Sequence, residues 1–465
     1  MLVIRQRIRD PLHNLIEFRA DHFENTIWNV IQSRSFQRLG RVKQLGFSEL
    51  VYPGATHTRF SHSVGVFHTA RLLVRVITEH LGEKRYEPPK AQTALAAALL
   101  HDVGHGPFSH TFEEVGKRLG LKMARHEALS DILIRSGDIS AALREWHSGF
   151  ASDVADVVSR DSPKDIYGAI VSSQFDADRL DYMRRDRLMT GTHHGAIDFD
   201  WLLSNIEIGQ VEYGVDEESV GKVETFVLGP KATYAAESCL LGLFQLYPTI
   251  YFHKTTRGAE KIFSEILYRA INLVRDGSIG MIGLPDTHPL VLFAKRPEEI
   301  ENIVRLDDTV IWGALSMMAD AKDETVSAFS KRLRDRNLFK CFDVRDSIVQ
   351  KLENAAEPDL VDSICVAVRE KIESWLEENR VGAPRILVDQ AEREPYRQFT
   401  ESKGPLNQIM LRGRNQDLID VSKLSKVVAA IETFKLFRVY TAKEDGQASN
   451  FIKQAISEEV SKTHA

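Results

Sequence analysis

The segment from Pro89 to Gly104, PKAQTALAAALLHDVG, constrains the fold more than any other stretch of the chain. Ala94, Leu95, Ala98 and Leu99 recur at helical spacing, proline suits a first turn, and Gly104 stops the run. An apolar helix is therefore expected to end on the doublet His101-Asp102. A second helix is expected over Ser61 to His80, where Val64, Phe67, Leu72, Val76 and Ile77 form one stripe behind Ser61 as N-cap. Two such helices pack on each other.

Helical periodicity continues through the first three-fifths of the sequence. Further helices are expected at Ser109 to Leu119, His126 to Arg135, Lys164 to Ser173, Asp178 to Met189 and Lys231 to Val274, with Pro248 kinking or splitting the last. Strand-like alternation comes late, at Lys222 to Leu228, Arg385 to Asp389, Gln408 to Arg412 and Leu436 to Thr441. The chain thus reads as mainly α. Residues 1–276 are expected to form the main domain, 277–380 an extension of charged surface helices, and 381–465 a small C-terminal α+β subdomain. A length of 465 residues fits this division, because it exceeds what one hydrophobic core usually organises.

Composition narrows the classes. Cys239, Cys341 and Cys365 lie far apart and make no thiolate metal pattern, which fits a reduced compartment without structural disulfides. No stretch approaches the roughly 18 apolar residues of a spanning helix. MLVIRQRIRDPLHN has charges where a secretory signal needs apolar residues. A cytoplasmic protein that is not integral to a membrane is expected. The formal net charge of −6 argues against broad nucleic-acid binding but leaves a local basic groove open.

His101 and Asp102, just beyond a last helical turn, differ in length and can converge on one ion. Alone, such a doublet more often marks a buried histidine bonded to its neighbour. Two other segments change the reading. THTRFSHSVG puts His62 in the first turn of one helix, and DADRLDYMRRD puts Asp178 at the start of another. Two imidazoles and two carboxylates make a mixed site suited to a divalent Mn, Mg, Fe, Ni or Zn ion, with positions open for water and substrate. The residue types do not choose among these metals.

This order of residues resembles the H…HD…D signature of the HD superfamily. DPLHN, FQRLGRVKQLG, YPGATHTRFSHSVGV, HDVGHGPFSHTFE, His126-Glu127, FDADRLDYMRRD and YFHKTTR resemble, in sequence, the deoxynucleoside triphosphate triphosphohydrolases of that superfamily. The resemblance implies an HD-domain helical bundle. It also implies metal-dependent hydrolysis of deoxynucleoside triphosphates to deoxynucleoside and inorganic triphosphate, by activated water attacking the α-phosphorus.

The leaving 5′-oxygen then needs a proton. His110 is the leading donor, with Glu113 at i+3 placed to orient its ring. His105 competes for that role, or hydrogen-bonds phosphate without proton transfer. His126 resembles a further active-site imidazole. Arg59, Arg179 and Lys254 match family positions that approach the phosphates. On the helix from Asp178, residues 178, 182 and 186 share a face. The resemblance implies that Tyr182 and Asp186 meet the sugar there, the ring leaving no room for a 2′-hydroxyl. Gln44 and Tyr251 match sugar- or base-side positions, while His57, His68, His80, His193 and His194 read as surface or structural. The chain departs from the animal enzymes at Leu243 and Tyr247, which replace an arginine and a histidine.

A homo-oligomer, tetramer or dimer, is also implied, with a nucleotide effector between subunits at Gln6 to His13 and Gln32 to Arg41. Arg5, Arg7, Arg9, Arg34, Arg38 and Arg41 offer cations there. Gly40 and Gln32 replace the arginine and the acidic residue that read a guanine-type activator, so a response to a deoxynucleotide, or none, is expected over strict dependence on GTP. Two alternatives stay open: an HD phosphohydrolase acting on a nucleoside monophosphate or signalling nucleotide, and a non-catalytic nucleotide-sensing or nucleic-acid-binding protein.

Overall fold

The computed structural model describes every residue except 1–4, 161, 216–217, 354–355, 380, 395, 397–407, 414 and 463–465, and every described side chain except those within 212–220. The chain forms two compact units. The first comprises Met1–Tyr251 and Pro395–Glu432, the second Phe252–Glu394 and Thr433–Ala465.

The first unit is a helical bundle behind an N-terminal hairpin. Strands β1 (Gln6–Asp10) and β2 (Asn14–Phe18) pair antiparallel, with Arg7 opposite Glu17 and Ile8 opposite Ile16. Asp10 builds their turn, since its Oδ1 accepts from the Leu12 and His13 amides at 3.0 and 2.9 Å. Sequence periodicity had not marked this hairpin as strand. Five helices carry the residues of interest: α1 (Arg59–Arg85), α2 (Pro88–Leu100), α3 (His110–Arg118), α4 (His126–Arg135) and α5 (Ala177–Thr190). Helix α1 packs against both α2 and α5, burying Val64, Phe67, Ala70 and Leu73. Thr58 caps α1 by accepting from the Ser61 amide, so Ser61 is the third helical residue and not the cap. Asp176 caps α5 in the same way, and Gly191 ends it in the left-handed conformation at φ 71°.

The helix expected over Lys164 to Ser173 does not form; one 3₁₀ turn, Gly168–Ile170, stands in its place. There the Asp165 carboxylate takes the Gly168 amide at 2.9 Å, a local bond that competes with helix. The long segment after Lys231 is split as Pro248 requires, into Thr233–Leu246, a wide π turn at Tyr247–Tyr251, and Lys254–Arg275. A four-stranded sheet in the first unit joins Ile206–Val215, Glu218–Leu228, Met410–Arg412 and Leu418–Asp420.

The second unit is helical around a three-stranded antiparallel sheet, in which Phe434–Thr441 lies between Lys340–Asp343 and Ile386–Arg393. Helices that read as surface elements supply its core: Ile348, Val361, Val368 and Ile372 are buried with Phe437, Val439 and Ile452. Their charged faces masked apolar stripes that close on one another. The helix Lys254–Arg275 belongs to this unit, although the sequence boundary had been set after residue 276. The C-terminal α+β part is present, but its strands divide between the two units, since Met410–Arg412 and Leu418–Asp420 return to the first.

Candidate metal centre

Three chain segments converge at one end of α1. His62 lies in its first turn and is fully buried. His101 is the C-cap of α2, so the helix ends at Leu100, just before the doublet, which sits in a tight turn. That turn is held from two sides. The buried Arg38 donates to the Val103 and His105 carbonyls at 2.9 and 2.8 Å. On the other side Ser130 of α4 accepts from the Gly104 amide at 2.9 Å. A Cβ at Gly104 would lie 2.2 Å from the His126 carbonyl oxygen, so only glycine lets α4 approach so closely.

His62 Nε2 lies 2.9 Å from Asp178 Oδ1, and His101 Nε2 faces the same oxygen and Asp102 Oδ1 at 3.5 Å each. One donor atom from each of His62, His101 and Asp178 falls within 4.8 Å of the others, a set able to hold a metal ion. Asp102 stands beside this set. Its Oδ2 accepts from Arg59 and lies 3.8 Å from His62 Nε2. Arg59, matched on sequence to a phosphate position, is buried here and also donates to Ser109 Oγ at 2.8 Å.

The donor set fits a divalent cation on two grounds. His101 Nε2 is buried without a hydrogen-bond partner, a cost that a cation would remove. The ionisation of the site also calls for positive charge. Burial alone would push the His62 imidazole down, yet hydrogen bonds to Asp178 and Asp181 bring its pKa up to about 10. Burial would likewise raise Asp178 and Asp102, but the histidines hold the first, and Arg59 with the histidines the second, well below the usual carboxylate range. Without a metal, a proton supplies the charge that the carboxylates demand.

A second cluster adjoins the first. His105 bridges them, with Nε2 3.2 Å from Asp102 Oδ1 and Nδ1 3.7 Å from Glu113 Oε1. Burial, then the charge of Arg59, keeps His105 neutral by lowering its pKa. Its ring stacks on His126 at 4.1 Å between centroids. Glu113 accepts from His126 through a short bond and from His110 at 3.4 Å. The sequence spacing had pointed to His110 as the partner of Glu113, and the closer partner is His126. Burial would raise Glu113, but the bonds from His110 and His126 hold it well below its ordinary value. His110 is the most exposed of the group at 75%.

The third face combines Tyr182, Asp186 and Tyr251. Tyr251 donates to Asp186 Oδ2 at 2.9 Å, and its ring meets Tyr182 edge-on at 6.3 Å. His57, read on sequence as surface or structural, is buried with Nε2 2.8 Å from Asp186 Oδ1. Gln44 lies next to His57 through a backbone bond of 3.0 Å, and its Oε1 is buried without a partner. Arg179 turns back to Gln174 at 2.5 Å. Lys254 belongs to the second unit as the first residue of its helix. Sequence reading missed Asp181, Arg185 and His13, all bonded behind His62. The signal for Asp181 and Arg185 was the i, i+3, i+7 spacing of 178, 181 and 185 on α5, and none marked His13.

Comparison with known proteins gives the chain a family. The sequence model of the HD domain matches residues 59–183, and that of an HD associated region matches 218–279. The uncharacterized protein YwfO of Bacillus subtilis is 32% identical over 335 residues, 71% of this chain and 70% of that protein. The chain belongs to the HD-domain family. HD-domain proteins are metal-dependent phosphohydrolases, and His62, His101, Asp102 and Asp178 all fall inside the matched domain. The mouse deoxynucleoside triphosphate triphosphohydrolase SAMHD1 is 23% identical over 478 residues, 94% of this chain and 69% of its own. A phosphohydrolase from Bacteroides thetaiotaomicron, solved by crystallography, superposes with a TM-score of 0.71 at 26% identity, covering 94% of this HD-domain chain and all of that one. No described helix is long and apolar enough to cross a membrane.

Proposed function

We propose that this HD-domain protein hydrolyses deoxynucleoside triphosphates to deoxynucleoside and inorganic triphosphate. One observation carries the reading: a cation-ready donor set is joined through Asp102 and His105 to a buried carboxylate flanked by three imidazoles. His62, His101 and Asp178 would hold the cation, with Asp102 beside them as fourth ligand. A divalent ion bound there would lower the pKa of water toward neutrality and so supply the nucleophile.

The chain's own residues do the rest. Glu113, kept ionised, orients His110 and His126, so that a protonated imidazole can deliver its proton to the 5′-oxygen as it leaves. His105, kept neutral, cannot carry that charge and hydrogen-bonds the phosphate instead. Arg59 and Arg179 meet phosphate charge, Arg59 by sharing its guanidinium between Asp102 and substrate. Asp186 accepts from a sugar hydroxyl while His57 and Tyr251 fix its orientation, and the Tyr182 ring closes the space beside C2′. The base lies toward Gln44. The named activity of the mouse relative supports this choice of substrate.

The same resemblance supports a homo-oligomer, tetramer or dimer, with a nucleotide effector held between subunits near the N-terminal hairpin. Arg38 is not among its cations, because its guanidinium is spent on the Val103 and His105 carbonyls.

The test is to incubate the purified protein with each deoxynucleotide and Mn or Mg, and to resolve products by anion exchange. Inorganic triphosphate with free deoxynucleoside is expected. Orthophosphate from a monophosphate, with no triphosphate from any deoxynucleotide, would overturn the reading. Tyr182→Ala should narrow the kcat/KM gap between dGTP and GTP, and an equal preference already in the wild type would refute the steric account.

A further inference from the structure

Behind His62, on the side away from the proposed cation, lies a buried polar network that the reaction itself does not use. Asp181 of α5 is its centre and is fully buried. Its Oδ2 accepts from His62 Nδ1 at 2.9 Å and Arg185 Nε at 2.7 Å. Its Oδ1 accepts from Arg185 Nη2 at 3.0 Å and faces His13 Nε2 at 2.7 Å. Four donors thus occupy a carboxylate that offers about four lone-pair sites. With both oxygens engaged as acceptors, His62 Nδ1 must carry hydrogen, which leaves the Nε2 lone pair for the cation.

The fourth donor comes from far away in sequence. His13 follows β1 in the N-terminal hairpin turn, and its side chain is 3% exposed. Arg185 ties the same turn to α5 by donating to Asp10 Oδ2 at 2.7 Å and Oδ1 at 3.2 Å. Asp10 in turn fixes the His13 backbone. Helix α1 makes room for all of this at Gly65, where a Cβ would lie 2.2 Å from both Arg185 Nη2 and Asp181 Oδ1. A glycine inside a helix is destabilising relative to alanine. Here that cost admits the ion pair one turn beyond His62.

We propose that His13 and Asp181 are positioning residues that fix the ring orientation and tautomer of His62, so that the N-terminal hairpin sets how tightly the metal centre holds its cation. The proposal rests on the reading of His62 as a ligand. Outer partners of metal-bound histidines contribute roughly 10- to 100-fold to metal affinity. The network supplies two in series.

The experiment measures the Mn²⁺ dissociation constant of the full chain by electron paramagnetic resonance of the free ion. The variants are His62→Ala, Asp181→Asn, His13→Ala and His13→Gln, each with its Tm. The glutamine amide reaches about as far as Nε2 and can donate to Asp181, whereas alanine cannot. His62→Ala should lose the ion. His13→Ala should weaken Mn²⁺ binding roughly tenfold or more, and His13→Gln should recover most of that loss. A merely structural role would instead lower Tm in both His13 variants without separating their affinities. If His62→Ala keeps Mn²⁺ at wild-type stoichiometry, the ligand assignment and the proposal fall together. If His62→Ala loses it while Asp181→Asn and His13→Ala bind as the wild type does, the ligand assignment stands and the positioning role is refuted.

Discussion

The two histidine clusters of the first unit are alike in composition and differ in how their carboxylates are bonded. Each brings imidazoles and a carboxylate close enough to hold a metal ion. In the cluster of His105, His110, Glu113 and His126, the carboxylate already accepts from two imidazoles, so its charge is answered within the protein. Each cluster also leaves a buried imidazole nitrogen without a partner, His105 Nδ1 in this one and His101 Nε2 in the cluster of His62, His101 and Asp178, where hydrogen bonds to Asp178 and Asp181 push the His62 pKa up. The count of ligating residues does not separate the two. The bonding of the carboxylate does, and our proposal gives the cation to the cluster of His62, His101 and Asp178 and the proton to that of Glu113.

The sharpest way to break this contrast is to remove one member of each cluster. Asp178→Ala and His101→Ala are expected to abolish bound metal by elemental analysis, and turnover with it. Stoichiometric metal in either variant would end the assignment. A smaller effect is expected in the other cluster, where His110→Ala and His126→Ala should keep the metal and lose roughly 10²- to 10⁴-fold in kcat. Metal loss from His126→Ala would show that the second cluster binds an ion as well. If only one of the two variants loses rate, that residue is the donor, and the tighter bond to Glu113 favours His126.

The smallest effect concerns pH. Because the folded state holds Glu113 below its unfolded value, this carboxylate contributes stability above about pH 4.3, and the contribution is lost as pH falls toward the folded pKa. Glu113→Gln should therefore lower Tm by a few degrees at pH 6, and the difference from wild type should shrink below pH 4. A difference that grows in acid would contradict the assigned direction.

How much of this was legible in the sequence depends on whether partners were near each other along the chain. The doublet at the end of an apolar helix, the first-turn position of His62 and the start of α5 could be read directly, because caps and periodicity are local signals. Local signals also gave the break at Pro248. The network behind His62 could not be read so easily. Helix α5, ADRLDYMRRDRLMT, looks solvated, and Asp181 and Arg185 are buried only because Asp10, His13 and His62 arrive from elsewhere. The same holds for His57, whose partner Asp186 is 129 residues away. The helices from Pro289 onward misled for a different reason: their charged faces outweighed narrow apolar stripes in the average, while burial follows the stripe.

The order in which the chain visits its two units has a consequence for biosynthesis. After Tyr251 the ribosome makes the greater part of the second unit before residues 395–432 complete the first. Until then Leu228 lacks its partner Leu411, and the helix Thr233–Leu246 lacks the short helices Val421–Leu424 and Lys426–Ala429 that pack on it, leaving an uncovered apolar face of the kind that recruits other chains. A message truncated between these stretches would leave that face permanently uncovered, so the fragment ending near Glu394 should be found with chaperones or in aggregates, even though every proposed metal ligand has already been translated.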